Sequence, residues 1–512
     1  MNGAGPLVSV VIPSRNAPPS LTVTLEGLAR QTMAADCYEV IVVGGVDEEM
    51  IWQRVPAGLP YPLQVLVKRG PGASRRRNAG AEAARADLLV FLDDDMGPEP
   101  ALLQAHWQAH AGGSGRRVVM GYLPPDDDLR RDLRIGRCHI DWVKVQLSDW
   151  WEEGFAAMAQ SEHRFAYTDV LSGNLSLPAQ LFHAVGGFDP DYYPCRDDFE
   201  LGVRLLLAGA ELAFCPGARS RHHDKTDLPR LLQRKRDEGR TDVQLARQYP
   251  HIRPALLISR QLTYLKLPSI LLRRIAAIWP DGADMLAGAL VPLLDTCEKL
   301  RMRETWPKIM AGLLVHAYWQ GVLRATKDWD EVVALTTAPA PSIGTVDLAN
   351  GRERAGEELD DNPVQGAILT WHGLPLGRIE PQAGAEPVSM RHLEGWLRTG
   401  GALAVARAQT LEKWLGTATD GMAWRCEPHV LDAGNAEPRP LRSAVVWEAD
   451  LAQGMDALQP LMTTFGQTVL VRHAERTLGW LHLEAQDRPR STGEVIYALY
   501  TDLDLYAFTP EW

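Results

Sequence analysis

An apolar run that ends in three consecutive carboxylates constrains this chain more than any other stretch. Leu88-Leu89-Val90-Phe91-Leu92 is followed at once by Asp93, Asp94 and Asp95. A short, uninterrupted apolar run reads as a strand buried on both faces, the habit of parallel sheets. Charges are excluded from the middle of such a strand. The acids therefore belong at its carboxyl end, where open α/β sheets bind ligands. Three neighbouring carboxylates repel one another unless a cation sits among them. Hard divalent cations, Mg²⁺ or Mn²⁺, favour oxygen ligands and often bridge to substrate phosphates. An acidic loop or helix cap is the plain alternative.

The flanking sequence supplies the rest of an α/β unit. Val8 to Pro13 reads as a first buried strand, closed by Ser14-Arg15-Asn16. Leu21, Leu25 and Leu28 predict a helix over 20–31, with Ser20 or Thr22 as N-cap. Strands are expected at Tyr38–Val43 and Leu63–Val67, and an Ala-rich helix at Arg75–Arg85 before the apolar run. The outline is β-α-β-β-α-β, a mostly parallel sheet with its chemistry at one edge.

Further strands are expected at Val118–Tyr122, after Gly173-Asn174, and at Leu212–Cys215, and a helix over 132–155 carrying Trp142, Trp150 and Trp151. Such rings can stack on sugars, though most pack in cores. Asp197 and Asp198 stand at the start of a helix, where peptide dipoles favour negative charge. An ionised carboxylate at a cleft can take a proton from an attacking hydroxyl. The alternative is an Asp N-cap over a helix whose Leu201 and Leu205 face the core. Arg221-His222-His223-Asp224 follows the last expected strand, and a His there could add a nitrogen ligand to the cation.

The totals narrow the classes. At 512 residues, two to four domains are expected. Net charge is −12 and no basic block dominates, so no nucleic-acid partner is expected. Six cysteines at 37, 138, 195, 215, 297 and 426 include no CxxC pair, which argues against a zinc ribbon or disulfide scaffold and fits a reducing cytosol. No basic n-region precedes the first strand, and the apolar runs 285–294 and 309–319 are too short to span a bilayer.

In order and spacing, the segments VSVVIPSRN, SRRRNAGAEAA, FLDDD, SGNLSLP, VGGFD, DDFELGVRLLLAG and RHHD resemble family 2 glycosyltransferases over residues 6–250. The resemblance implies an inverting enzyme with the GT-A fold, a Rossmann-like sheet flanked by helices. It places the DxD motif on Asp93 and Asp95, with Asp94 between, binding a nucleoside-diphosphate sugar (UDP-, GDP- or TDP-linked) through a divalent cation. It places the catalytic base on Asp198, with Asp197 where Glu is usual, and a metal-site histidine on His222 or His223. Pro13, Ser14, Arg15 and Asn16, Arg77 and Asn78, and Gly173 and Asn174 fall where the family holds the nucleotide-sugar. The family's Asp-Asp-Gly-Ser segment after the second strand is replaced by Gly44-Gly45-Val46-Asp47-Glu48, so the usual base-contacting acid is missing unless Asp47 or Glu48 reaches back. Gln233-Arg234-Lys235-Arg236-Asp237 lacks the Trp of processive members. Single addition to a hydroxyl acceptor is expected, in the cytoplasm, with peripheral membrane association as an option.

Beyond a catalytic domain at 1–250, a helical region is expected at 251–335, with breaks at Pro268, Pro280 and Pro307. Its basic-apolar stretch 270–275 could rest on a membrane. An accessory region follows at 336–512. There Ala367–Ile379 recurs as Val469–Leu481, predicting two β-β-β-α modules at about 342–400 and 443–500. The rivals are a sugar-nucleotide pyrophosphorylase, which would need a Gly-rich basic loop after the first strand, and a non-catalytic binding scaffold on the same fold.

Overall fold

The computed structural model describes residues 5–124, 142–223, 226–263, 282, 285, 287–415, 445–464, 467–484 and 486–503. They fall into two compact units, 1–339 with 383–386, and 340–382 with 387–512. The first unit is an α/β domain built on an eight-stranded mixed sheet, in the order β3-β2-β1-β4-β7-β6-β8-β5. Its strands are β1 (Val8–Ser14), β2 (Tyr38–Gly44), β3 (Leu63–Val67), β4 (Leu88–Leu92), β5 (Met96–Pro98), β6 (Arg117–Tyr122), β7 (Asn174–Pro178) and β8 (Glu211–His222). Strands β1 to β4 run parallel, and β7 reverses direction between β4 and β6. Every residue of β1, β2 and β4 is buried. That is the expected state of a parallel strand covered on both faces.

The helices that matter for the site are α1 (Ser20–Ala29), α2 (Ser74–Ala83), α3 (Leu102–Ala109), α4 (Asp197–Leu207), α5 (Leu228–Gln248) and α6 (Thr305–Ala325). Gly80 lets α2 lie close on the sheet, because a Cβ there would strike Val11. Helix α1 starts on Pro19 with no side-chain cap. The hydroxyl of Thr22, expected as a cap, instead donates to the Arg54 carbonyl. Sequence periodicity missed β5 and the short helix Glu48–Trp52, each too brief to show a period. It also ended the last strand at Cys215, whereas β8 continues to His222 because β5 pairs with its far end. The stretch 125–141, including part of the helix expected at 132–155, lies outside the described residues, and the helix is described from Trp142 to Met158. Trp151 stacks on Phe155 at 6.0 Å, a core role.

After the sheet, α5 and α6 pack against each other through two glycines. A Cβ on Gly239 would collide with the Tyr318 carbonyl, and one on Gly321 with that of Arg236. Pro307, expected to break the helical run, lies in the first turn of α6, where a missing N–H is harmless. Pro268, Pro280 and the stretch 270–275 lie outside the described residues. No described helix is long and apolar enough to cross a membrane. The four described cysteines at 37, 195, 215 and 297 are free thiols, and Cys138 and Cys426 lie outside the described residues.

The second unit holds two three-stranded sheets of one pattern. Ile343–Asp347 runs parallel to Gly366–Trp371, which pairs antiparallel with Leu374–Ile379. Val445–Asp450 runs parallel to Gln467–His473, which pairs antiparallel with Arg476–Leu483. Parallel neighbours need a crossover. Helix Arg352–Asp361 supplies it in the first sheet and a 3₁₀ segment, Leu451–Leu461, in the second. Each module is thus strand–helix–strand–strand–helix, not three strands in a row. The matching acids do matching work: Asp347 accepts from Ala349 and His372 backbone N–H groups, and Asp450 from those of Ala452 and Ala474. Between the modules a helix spans Ala402–Leu415, and 416–444 lie outside the described residues.

The glycine crossing of α5 and α6 gives a paired test. Gly321→Ala should destabilise the protein by about 1–3 kcal/mol through overpacking. Gly312→Ala, in the same helix but facing open space, should be neutral or stabilising by about 0.4–1 kcal/mol. Thermal unfolding of both variants checks the contrast.

Candidate active site

The end of β4 meets the start of α4 through a single arginine. Arg77, buried in the first turn of α2, donates from Nη2 to Asp93 Oδ1 at 2.8 Å and from Nη1 to Asp197 Oδ2 at 3.0 Å. Its guanidinium lies over the Phe188 ring at 5.2 Å. Ser74 Oγ donates to the same Asp197 oxygen at 2.9 Å. Residues 123 positions apart are thereby fixed in one cleft. Gly173 closes the back of it: a Cβ there would come within 3.1 Å of Asp93 Oδ2 and 3.0 Å of Met96. The triplet and the helix-start acids therefore share a site.

Asp94 turns the other way, accepting from Ser14 Oγ at 2.6 Å at the end of β1. Burial, reinforced by the charges of Asp93 and Asp95, pushes its carboxyl up to about 7 against the pull of Ser14 and Arg76. Pro13 is buried in β1, while Arg15 and Asn16 just beyond are exposed. Arg76 is buried beneath Gly45 and donates to the Gly70 carbonyl at 3.1 Å. Asp47 is exposed and paired with Arg69, and Glu48 accepts from the Trp52 indole at 2.9 Å. Both acids of the departing segment are thus engaged locally.

Asp95 sits beside β8. Its Oδ2 lies 3.4 Å from His222 Nε2, and its backbone carbonyl accepts from the His223 N–H at 2.9 Å. The His223 ring turns toward Gly97 instead. Register explains this, since Met96 pairs with His222. No described group of three acidic, His or Cys side chains is gathered for a metal ion. Yet Asp95 Oδ1 is buried with no hydrogen-bond partner among the described residues. An orphaned carboxylate oxygen next to an imidazole is a donor set that suits a divalent cation, so the residues present fit one.

Asp198 follows Asp197 on α4 and accepts the Phe199 backbone N–H at 2.9 Å. Burial first, then the charge of Asp197, raises its carboxyl to about 6, although Arg77, Arg234 and the Phe199 N–H pull the other way. The residue before the pair, Arg196, adopts left-handed backbone at φ +70°. Its guanidinium stacks over Phe199 at 4.4 Å and reaches Asp242 at 3.3 Å and Glu238 at 3.4 Å on α5. Tyr318 of α6 donates to Asp242 at 2.7 Å. Such a backbone conformation costs about 1–3 kcal/mol and persists only where the surroundings impose it. Here the α5–α6 pair imposes it.

Two residues expected at the nucleotide-sugar have other work. Asn174 is fully buried, donating to the Ala218 carbonyl at 2.9 Å and meeting His106 at 2.9 Å. It ties β7 to β8 and cannot face a ligand. Asn78 makes a two-way bond with the Phe188 backbone at 2.8 and 2.9 Å, which holds the 186–188 turn on α2. Sequence reading passed over Ser74, Arg76 and Arg196. Three arginines in a row on α2 were the available signal, since a helix with five of its ten residues buried has little room for three solvated charges.

The raised carboxyl of Asp198 has a stability consequence. Its folded value lies above the ordinary carboxylate value near 3.9, so the folded chain holds the proton more tightly between roughly pH 4 and 6. Stability attributable to this group therefore falls as pH rises through that window. Asp198→Asn should raise stability by about 1–3 kcal/mol at pH 8, and the gain should vanish near pH 4. Thermal unfolding at the two pH values checks it.

Residues 5–241 match the sequence profile described as "Glycosyltransferase like family 2". A validoxylamine A glucosyltransferase of Streptomyces hygroscopicus subsp. jinggangensis is 31% identical over 231 residues, covering 40% of this chain and 52% of that protein. A pre-mycofactocin glycosyltransferase of Mycobacterium tuberculosis is 24% identical over 413 residues, covering 73% of this chain and 82% of that one. Among solved structures, a mannosyltransferase of Pyrobaculum calidifontis in complex with GDP-Man and Mn²⁺ aligns at a TM-score of 0.36 and 15% identity, covering 62% of this chain and 87% of that chain. The chain spans about half the length of the first curated relatives it matches. With a mixed sheet, an Asp triplet at the end of β4 and an acid pair opening α4, residues 5–241 are the part of the chain that is similar to glycosyltransferase-like family 2.

Proposed function

We propose that this chain transfers a sugar from a nucleoside-diphosphate donor to an acceptor hydroxyl, with inversion and with help from a divalent cation. The observation that carries the reading is the Arg77 bridge, which holds Asp93 and Asp197 on one cleft. The named relatives act as glycosyltransferases, one of them a glucosyltransferase, which supports a hexosyl donor. A cation at Asp95, with His222 beside it, would act as a Lewis acid that offsets charge on the departing diphosphate.

The chain's own residues divide the remaining work. Asp197 is occupied by Arg77 and Ser74, so it positions and does not take protons. Asp198 is the acid of the pair that no described side chain hydrogen-bonds; it accepts only the Phe199 backbone N–H. It would take the hydroxyl proton as the acceptor oxygen attacks the anomeric carbon and the bond to the diphosphate oxygen breaks on the opposite face. With its carboxyl near 6, it is ionised at neutral pH yet basic enough to serve. Ser14, Arg15, Arg76 and Arg77 line the donor side, where cationic side chains suit a diphosphate. The second unit, with no acid cluster of this kind among its described residues, is given an accessory role in acceptor recognition.

Incubation with a panel of UDP-, GDP- and TDP-sugars, with and without Mn²⁺, tests the reaction by release of nucleoside diphosphate. Release should require the cation. Asp198→Asn should lower transfer about 10²- to 10⁴-fold with donor affinity retained. In the wild type, kcat/KM should fall below about pH 6 as Asp198 protonates. Unchanged turnover in Asp198→Asn would remove the assignment.

A further inference from the structure

Behind the corner formed by Asp95 and His222 runs a chain of polar side chains that no step of the proposed reaction uses. It begins at His110, just past the end of α3, and passes through Ser176 of β7 and His106 of α3 to Asn174, the first residue of β7. His110 Nε2 lies 2.8 Å from Ser176 Oγ, Ser176 Oγ lies 2.8 Å from His106 Nδ1, and His106 Nε2 lies 2.9 Å from Asn174 Oδ1. The Asn174 amide nitrogen donates to the Ala218 carbonyl at 2.9 Å and to the Tyr122 carbonyl at 3.4 Å. His106, Asn174 and Ser176 are wholly buried, where polar groups are costly unless paired.

The hydrogen bonds can run in one sense only. Two carbonyls face the Asn174 nitrogen, so the amide oxygen must accept from His106. His106 therefore carries its proton on Nε2, and its Nδ1 accepts from the Ser176 hydroxyl. The hydroxyl oxygen in turn accepts from His110. Burial pushes both imidazoles down to about 4, which keeps each one neutral, with a single donor and a single acceptor. A flipped amide would set its oxygen against two carbonyl oxygens. His106 thus decides which way Asn174 points.

The direction matters because of where the amide lands. Strands β7 and β8 are not neighbours, since β6 lies between them. Asn174 crosses β6 over Gly121, where a Cβ would collide with the amide and with the Ala218 carbonyl. The β6–β8 pairing jumps there from Gly121 with Cys215 to Tyr122 with Arg219, which leaves Pro216, Gly217 and Ala218 outside the ladder. Bulges of this kind re-aim the strand that follows. Past this one, Ser220, Arg221 and His222 pair with Pro98, Gly97 and Met96. That pairing sets His222 Nε2 3.4 Å from Asp95 Oδ2. On its other side Asn174 adjoins Gly173, whose carbonyl accepts the Asp93 N–H at 3.3 Å.

We infer that His106 is a positioning residue for the cation: by fixing the Asn174 amide it holds the β8 bulge, and so keeps His222 beside the Asp95 carboxylate. It touches neither donor nor cation. The inference rests on the divalent-cation reading given under Proposed function.

The test measures Mn²⁺ binding to the full chain in the presence of UDP, GDP or TDP, read from the electron spin resonance of the free ion. His106→Leu should weaken Mn²⁺ about 10- to 100-fold, as loss of an outer-shell partner does elsewhere. In transfer assays the Mn²⁺ needed for half-maximal rate should rise in step, with kcat at saturating Mn²⁺ retained. His106→Gln, whose amide can donate to Asn174 from the place of Nε2, should recover most of the affinity. Leu103→Ala removes buried packing from the same helix. It should lower the melting temperature and leave Mn²⁺ affinity at the wild-type value. Gly121→Ala, which displaces the amide with His106 intact, should weaken Mn²⁺ as His106→Leu does, and it serves if that variant does not fold. Wild-type Mn²⁺ affinity in His106→Leu or in Gly121→Ala would overturn the inference alone. So would an equal loss in Leu103→Ala, because the role would then be one of stability only. A wild-type chain that binds no Mn²⁺ with any of the three nucleotides would overturn the cation reading and this inference with it.

Discussion

One buried guanidinium ties the site together. Arg77 stands between two carboxylates that the chain delivers from opposite directions, one at the end of a strand and one at the start of a helix. A buried charge without partners would cost several kcal/mol, and two acids facing each other would repel. The three charges are tolerable together and intolerable apart. The loop 70–74, the turn at Gly173 and the start of α4 all meet where this arginine needs them. The same contact leaves Asp198 as the acid of its pair that no described side chain holds, which suits it to the proton transfer proposed for it.

The second constraint lies behind α4. Arg196 is held in a left-handed conformation by acids on α5, and α5 is held by a glycine-to-glycine crossing with α6. Helix α6 lies beyond the stretch that matches the family profile, 5–241. The helical region is therefore part of the machinery that orients the acid pair.

The strands of the sheet were legible because each buried strand is an unbroken apolar run, and β1, β2 and β4 show it without interruption. The Asp triplet was legible for the same reason, as the point where that run stops. What the residues could not show was pairing at a distance. Met96–Pro98 has no period to read, and only its ladder with β8 brings His222 to Asp95. Asn174 looks like a ligand-facing turn residue in sequence, yet its amide is consumed by contacts to residues 44 and 68 positions away. In the second unit the recurrence of a Leu-Gly strand was visible, but the crossover that makes the first strand parallel was not. A helix between two strands says nothing about which strand they both pair with.

The central claim is that Arg77 serves donor and acceptor chemistry at once. The most direct measurement is Arg77→Gln assayed in parallel for nucleoside-diphosphate affinity with Mn²⁺ and for single-turnover transfer at saturating donor. Loss of Asp93's partner should weaken nucleotide binding, and loss of Asp197's partner should slow the chemical step, so both quantities should fall. A variant that loses one and keeps the other at the wild-type level would contradict the account.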